Sequence, residues 1–161
     1  MKKNLGLLTI LLCILLIGCS KQEQTTKTEE WEVSATLVRE VVVTDDGEKD
    51  DVVFRIGNNG KFGFAEYGPF IEDEKQKYMW HFWGEQKVLT QPFKVIAVSK
   101  ETGENLTIFE AQDNTSHLSP NLGADHSIPS MMKLPISGIW KLKAYFGENL
   151  FGTVVVNVQE K

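Results

Sequence analysis

The C-terminal part of the chain alternates apolar and polar residues with a period of two. In "GIWKLKAYF", one face of an extended strand would carry Trp140, Leu142, Ala144 and Phe146, and lysines would occupy the other. After the turn "GEN", the segment "FGTVVVNV" repeats the alternation with valines. Successive side chains of a β-strand point to opposite faces, so this pattern predicts a half-buried terminal hairpin.

Similar strand patterns recur further upstream. The segments "TLVREVVVT" and "VVFRIG" flank the acidic stretch "DDGEKDD", and "PFKVIAVSK" and "NLTIFEA" flank "ETGE". Gly103 in this second turn can adopt the positive φ that tight hairpins require. No segment has a sustained amphipathic helical face. We therefore predict an all-β fold, an antiparallel β-sandwich of immunoglobulin-like arrangement, with a small β-barrel as the alternative.

The first residues have the features of an export signal. Lys2 and Lys3 precede an apolar run of 14 residues, from Leu5 to Gly18, and a membrane-spanning helix needs about 20. This predicts a secretory signal peptide. The ending "LIGC" resembles the bacterial lipobox, which implies that Cys19 receives a diacylglyceryl group and becomes the N-terminus after residues 1–18 are removed. An ordinary signal peptide with an incidental cysteine, or an uncleaved anchor, is the alternative.

The cysteine count limits the chemistry of the mature protein. Cys13 and Cys19 are the two cysteines of the chain. Cleavage would remove the first and lipidation would use the second, so we expect no disulfide, no cysteine metal site and no cysteine nucleophile. The polar segment 20–30 would be a tether of at most about 35 Å. Residues 31–161 are enough for one β-sandwich domain with a core of its own.

The charge of the mature chain restricts its partners. Loss of residues 1–18 would remove two lysines and no acid, which leaves 15 basic and 22 acidic side chains and a net charge of −7. Nucleic acids and anionic lipid surfaces attract basic proteins, so we expect neither as a direct partner. Attachment to membrane lipid would instead depend on acylated Cys19, at the extracytoplasmic face of the cell membrane.

The stretch "KYMWHFWGE" concentrates aromatic residues in one predicted strand. One face of this strand would carry Tyr78, Trp80 and Phe82, which we expect in the core, and the other Met79, His81 and Trp83. The second face is either covered by a loop such as "EYGPFIED" or exposed for binding. The candidate ligand-binding residues are therefore Tyr67, Met79, His81 and Trp83.

Two other segments contain residues that could carry chemistry. The loop Asp45–Asp51 is acidic enough to attract Ca²⁺ but lacks the ligand spacing of an EF-hand, so we interpret it as a solvated hairpin tip. In Asn121–Pro135 we predict a loop that crosses between the sheets, with Met131 and Met132 filling gaps in the core.

Catalytic motifs are weak in this chain. There is no GxSxG or HExxH sequence. A surface hydrolase would need His81 or His126 as a base, paired with an acid such as Glu85 or Asp125. Such pairing depends on the fold. We expect no catalytic residue, metal or cofactor, and consider an enzyme the less favoured alternative.

Several segments together resemble a family of small uncharacterised lipoproteins of Bacillus and its relatives. They are the lipobox, "GNNGKFGF", "KYMWHFWGE" and "LPISGIWKLKAYFGENLFGTVVVNV". The resemblance implies a Gram-positive surface lipoprotein with an immunoglobulin-like β domain and names no catalytic residue. We expect a membrane-anchored binding module with a protein, cell-wall or small-molecule partner. A hydrolase, or a structural or inhibitory module of the envelope, is the alternative.

Overall fold

A computed structural model describes residues 31–42, 46–111 and 117–161. The elements in these ranges are β1 (Thr36–Val42), β2 (Lys49–Ile56), β3 (Phe62–Ala65), β4 (Phe70–Ile71), β5 (Gln76–Phe82), α1 (Gln86–Leu89), β6 (Phe93–Ser99), β7 (Asn105–Glu110), β8 (His126–Met132), β9 (Gly138–Phe146) and β10 (Asn149–Gln159). Among the described residues no helix is long and apolar enough to cross a membrane. Cys19 and the predicted tether lie outside these ranges.

The strands form two five-stranded sheets. Sheet A has the order β1-β2-β3-β5-β8, and sheet B has the order β4-β10-β9-β6-β7. Neighbouring strands are antiparallel except β4 and β10, which are parallel. The predicted β-sandwich is therefore confirmed, and one of the two sheets is curled into a half-barrel. We identify it as sheet A, because Phe54, Ala65 and His81 are buried on its face turned away from the core.

The core between the sheets is rich in aromatic rings. Tyr78, Trp80 and Phe82 of β5 are all buried in it, as their alternation predicted. Phe62 of β3 stacks on the rings of Trp80 and Phe82, each at a centroid distance of 6.1 Å. The buried indole of Trp80 donates a hydrogen bond to Ser130 Oγ at 3.0 Å. Each ring removes a large apolar area from water, so a domain without disulfides can be held by these contacts.

Both predicted hairpins of sheet B are present. In β9 and β10 the buried alternating residues are Trp140, Leu142, Ala144, Phe146, Val154, Val156 and Val158, all in the core. The turn between β6 and β7 contains Gly103 with a φ of 71°, as its predicted role requires. The period-two pattern thus identified both the strands and their buried faces.

The prediction for Asn121–Pro135 is partly wrong. Residues His126–Met132 form strand β8, which pairs with β5 along its full length. Alternation then directs Met132 into the core and leaves Met131 on the opposite face, 46% exposed. Pro129 is atypical of a strand interior, but an edge strand tolerates proline because one side of it makes no ladder hydrogen bonds.

The curl of sheet A brings its two edges towards each other. Arg39 lies on the edge strand β1, yet its Nη1 donates to the carbonyl oxygen of Leu122, just before the opposite edge strand β8, at 3.0 Å. Gly63 permits close approach of β2 and β3, because a Cβ there would overlap the carbonyl oxygen of Arg55. The face of sheet A turned away from the core is consequently concave.

Candidate functional site

The concave face of sheet A is defined by two adjacent rows of cross-strand partners. One row crosses all five strands as Leu37, Phe54, Ala65, Met79 and Pro129. The next row consists of Ile56, Gly63, His81 and Ser127. Directly opposed residues share a face, so Met79 and His81 lie together among mostly apolar side chains.

His81 is buried in this face, with 1% of its surface exposed. Its Nδ1 lies 3.1 Å from Ser127 Oγ, its ring meets Phe54 edge-on at 5.1 Å, and its Nε2 makes no hydrogen bond. Burial lowers the pKa of His81; the nearby backbone of Asn121 opposes this effect, and the positive charge of Arg39 adds to it. His81 is therefore held in its neutral form.

A short segment, Ser119–Asp125, lies over the His81 end of the concave face, and we refer to it as the strap. The indole N–H of Trp83 donates to the carbonyl of Gly123 at 2.8 Å, and Arg39 donates to that of Leu122. The backbone N–H of Gly84 donates to Asp125 Oδ2 at 2.9 Å. Side chains and backbone from β1 and from the end of β5 thus fix the strap across the sheet.

The strap contains a tight turn, and its first residue contacts a histidine. Asn121 and Ala124 form an isolated bridge around Leu122 and Gly123, which have φ angles of 49° and 79°. At the start of the strap, the backbone N–H of Ser119 donates to Nδ1 of His126 at 2.9 Å. Leu122 adopts a left-handed conformation that non-glycine residues rarely take, so the surrounding contacts must hold it there.

The loop expected to cover this face lies elsewhere. Phe70 and Ile71, within "EYGPFIED", form β4 and pair with β10 in sheet B, so this segment crosses to the other sheet. The strap covers the face instead, and it comes from a part of the chain about 40 residues further on. A contact that distant in sequence leaves no local pattern in the aromatic strand.

The structure brings only some of the four candidate residues together. Met79 and His81 share the concave face. Trp83 follows at the end of β5, where its backbone N–H donates to the carbonyl oxygen of Lys61. Tyr67 lies beyond the opposite end of β3 and is 73% exposed. Tyr67 and Trp83 therefore flank the concave face from opposite ends and do not form one cluster.

Part of the concave face remains uncovered. Met79 is half-buried, and Leu37 on the neighbouring edge strand is 54% exposed. Met131 and Pro129 are exposed along β8, the other edge. We refer to these residues, together with Tyr67, as the open part of the concave face.

The histidines lack the carboxylate partner that a general base requires. Within the described ranges, His81 and His126 use Nδ1 for Ser127 and Ser119 respectively, and neither Nε2 is bonded. Burial also lowers the pKa of His126. Of the expected acids, Glu85 pairs with Lys87 at 2.7 Å, and the carboxylate of Asp125 accepts from Gly84. The geometry of the predicted hydrolase pairs is absent from this part of the chain.

The acidic stretch contains a hairpin with local polar contacts. Asp45 lies outside the described residues. Lys49 Nζ pairs with Glu40 across β1 and β2 at 2.7 Å, and Asp50 Oδ1 accepts from the N–H of Asp51 at 2.8 Å. In the described part of the chain, no three histidine, cysteine, aspartate or glutamate side chains converge in a way that could hold a metal ion.

Comparison with known proteins places the chain in a family. The family model described as "Domain of unknown function (DUF4871)" matches residues 22–156. The chain belongs to this family. It is also similar in structure to an X-ray crystal structure described as a "Putative Lipoprotein from Bacillus anthracis", with 18% identity and a TM-score of 0.58 over 81% of this chain and 87% of the other. At that identity the likeness concerns the fold. No curated protein matches the chain.

Proposed function

We propose that this protein is a lipid-anchored extracytoplasmic binding module of the bacterial cell membrane. The resemblance of "LIGC" to a lipobox supports attachment through acylated Cys19. The fold that the chain shares with a protein described as a lipoprotein agrees with that placement. Two or more acyl chains give stable membrane attachment where a single chain does not, so this modification would suffice as an anchor.

The open part of the concave face is the binding surface that we propose. One observation carries this assignment: Leu37, Tyr67 and Met131 are each about half exposed or more, around one face of a curled sheet. Exposed apolar side chains that border one face of a sheet are candidates for an interaction site. The expected partner is a protein, a cell-wall component or a small ligand with an apolar surface.

The hydrolase alternative receives no comparable support. It requires a histidine within hydrogen-bond reach of a carboxylate in an accessible site, and both buried histidines bond to serines instead. A module that occludes another envelope protein would use the same surface as a binding module, so the identity of the partner decides between these two.

Photo-crosslinking on intact cells tests the binding surface. A photoreactive phenylalanine analogue replaces Met131 on the concave face, and the matched control carries it at Asn157, an exposed strand position of sheet B. We expect a defined adduct with the probe at residue 131 and none at residue 157, because contact with the partner is confined to one face. Adducts of equal yield at both positions, or none at residue 131, would argue against this surface.

The anchor is tested separately. A Cys19→Ser precursor should keep its leader and incorporate no labelled palmitate, whereas Cys13→Ser should mature like the parent chain. Normal processing of the Cys19→Ser precursor would refute the lipobox. It would not change the interpretation of the crosslinking result.

A further inference from the structure

We propose that the strap is an acid-released cover: protonation of His81 and His126 detaches Ser119–Asp125 and enlarges the apolar concave face available for binding. This inference deepens the proposed function, because it assigns regulation to the same surface. It depends on the position of two buried histidines, one beneath the strap and one at its start.

His126 bonds to the strap directly. Its Nδ1 accepts a hydrogen bond from the backbone N–H of Ser119, so Nδ1 must be unprotonated in this arrangement. Its Nε2 is buried and has no hydrogen-bond partner. A second proton would place two N–H donors against each other at Ser119 and a positive charge in a buried position. Protonation of His126 is therefore incompatible with the closed strap.

His81 lies on the other face of β5–β8, beneath the strap. The groups facing it are Ser127 from β8, Phe54 from β2, the backbone of Asn121 in the strap and the guanidinium of Arg39 from β1. Arg39 is the charged group among them, and it also holds the strap through Leu122. A positive His81 would be desolvated, which is the largest effect, and would face a like charge. The backbone of Asn121 favours the charged form but is outweighed, so the closed strap on balance opposes protonation of His81.

Other titratable groups near the strap act differently. The carboxylate of Asp125 accepts a hydrogen bond from the N–H of Gly84 and so holds the end of the strap in place. His117 precedes the strap and is exposed. The two buried histidines are therefore the groups whose protonation the closed strap opposes.

The direction of the effect follows from the lowered pKa of each histidine. Burial lowers the pKa of both His81 and His126 in the closed state, while exposure would return each to about 6.5. The closed strap thus binds fewer protons than the open one. It is favoured at pH values above the pKa of an exposed histidine, and this preference over the open strap is lost as the pH falls through the closed-state pKa. Between pH 7.5 and 5.5 the open fraction should rise by up to about tenfold for each histidine that opening exposes.

Thiol labelling measures strap opening in the full-length chain. With Cys13→Ser and Cys19→Ser in place, Ala124→Cys provides a single thiol on the buried side of the strap. Lys161→Cys gives an exposed reference that corrects for the pH dependence of the thiol reaction. Ala97→Cys, in the core of sheet B, reports global unfolding. Reaction with a dipyridyl disulfide in detergent is followed from pH 7.5 to 5.5.

The expected result is a rise in the rate at residue 124, relative to residue 161, of up to about tenfold for each histidine exposed, with residue 97 unreactive throughout. His126→Asn and His81→Asn should each reduce the pH dependence, and the double variant should abolish it. Three results would overturn the proposal. They are a ratio of the rates at residues 124 and 161 that stays constant within twofold when both histidines are present, labelling at residue 97 as fast as at residue 124, and a pH dependence that persists in the folded double variant.

Trp83→Phe provides a check that does not depend on the histidine variants. It removes the hydrogen bond from the indole to Gly123 without changing any titratable group. Labelling at residue 124 should become faster at every pH, with the same slope as the parent chain; an unchanged rate would mean that Trp83 does not hold the strap. Because labelling requires no partner, failure here and failure of the crosslinking experiment are separate outcomes.

Discussion

Replacement of Arg55 should destabilise the domain more than any change at an exposed ion pair. Arg55 donates to both carboxylate oxygens of Glu66, from Nε at 2.7 Å and from Nη2 at 2.9 Å, and its Nη1 donates to the carbonyl of Ser34 at 2.6 Å. Ser34 in turn exchanges hydrogen bonds with Val155 of sheet B. The guanidinium thus joins β2, the end of β3 and the segment that enters β1.

The magnitude follows from the burial of this pair. The side chains of Arg55 and Glu66 are 15% and 16% exposed, so Arg55→Met would leave a carboxylate largely buried without its cation. Loss of one partner of a buried pair costs about 3–5 kcal/mol, and the residual exposure points to the lower end, about 3 kcal/mol. For a domain of this size, that loss corresponds to a decrease in Tm of about 10 °C.

Denaturant unfolding of the parent and three variants tests this reasoning. Arg55→Met should lower the free energy of unfolding by about 3 kcal/mol, whereas Lys87→Met, which breaks the exposed pair with Glu85, should change it by less than about 1 kcal/mol. The double variant Arg55→Met/Glu66→Met should be more stable than Arg55→Met alone, because no charge is left unpaired. An Arg55→Met effect equal to that of Lys87→Met, or a double variant less stable than the single one, would refute the argument.

Two further stability predictions concern sheet A. Gly63→Ala should lower the free energy of unfolding by more than about 2 kcal/mol in the same assay, because its Cβ would overlap the carbonyl oxygen of Arg55; the control Gly68→Ala, with open space around its Cβ, should change it by less than about 1 kcal/mol. Burial raises the pKa of Tyr78, so the unfolded chain releases this proton first, and stability should fall above about pH 10 by up to about 1.4 kcal/mol per pH unit. Tyr78→Phe should flatten this part of the profile in melting experiments between pH 9 and 11, and an unchanged slope would contradict the assignment.

The sequence predicted those parts of the fold that depend on local patterns. The alternation in β9 and β10 identifies both strands and their buried faces, because a residue and its second neighbour necessarily share a face. The same logic placed Tyr78, Trp80 and Phe82 in the core. Strand β8 was missed because Pro129 interrupts the pattern, although an edge position makes it acceptable.

The candidate site could be predicted only in part, because it is assembled from distant segments. The residue types on the second face of β5 indicated that Met79 and His81 needed a cover or a ligand. The contacts of Arg39 and Trp83 with the strap join residues separated by 83 and 40 positions, and neither has a periodic signature. The glycine in "NLGAD" was a signal for a turn, but its role as part of a cover depends on the curl of sheet A.

The curl of sheet A sets two opposing requirements on the concave face. The exposed members of the apolar row, Leu37 at one edge and Pro129 at the other, can contact a partner, but permanent exposure of more of this face would favour aggregation. A cover that never opened would leave only the Met79 side for binding. A strap held by hydrogen bonds that Arg39 and Trp83 donate and one that His126 accepts, with little apolar burial of its own beyond Leu122 and Ala124, satisfies both requirements. Changing the proton occupancy of two side chains would then alter the stability of the closed strap. Under this proposal the buried, incompletely bonded histidines are retained as the means of control, at the expense of a better satisfied interior.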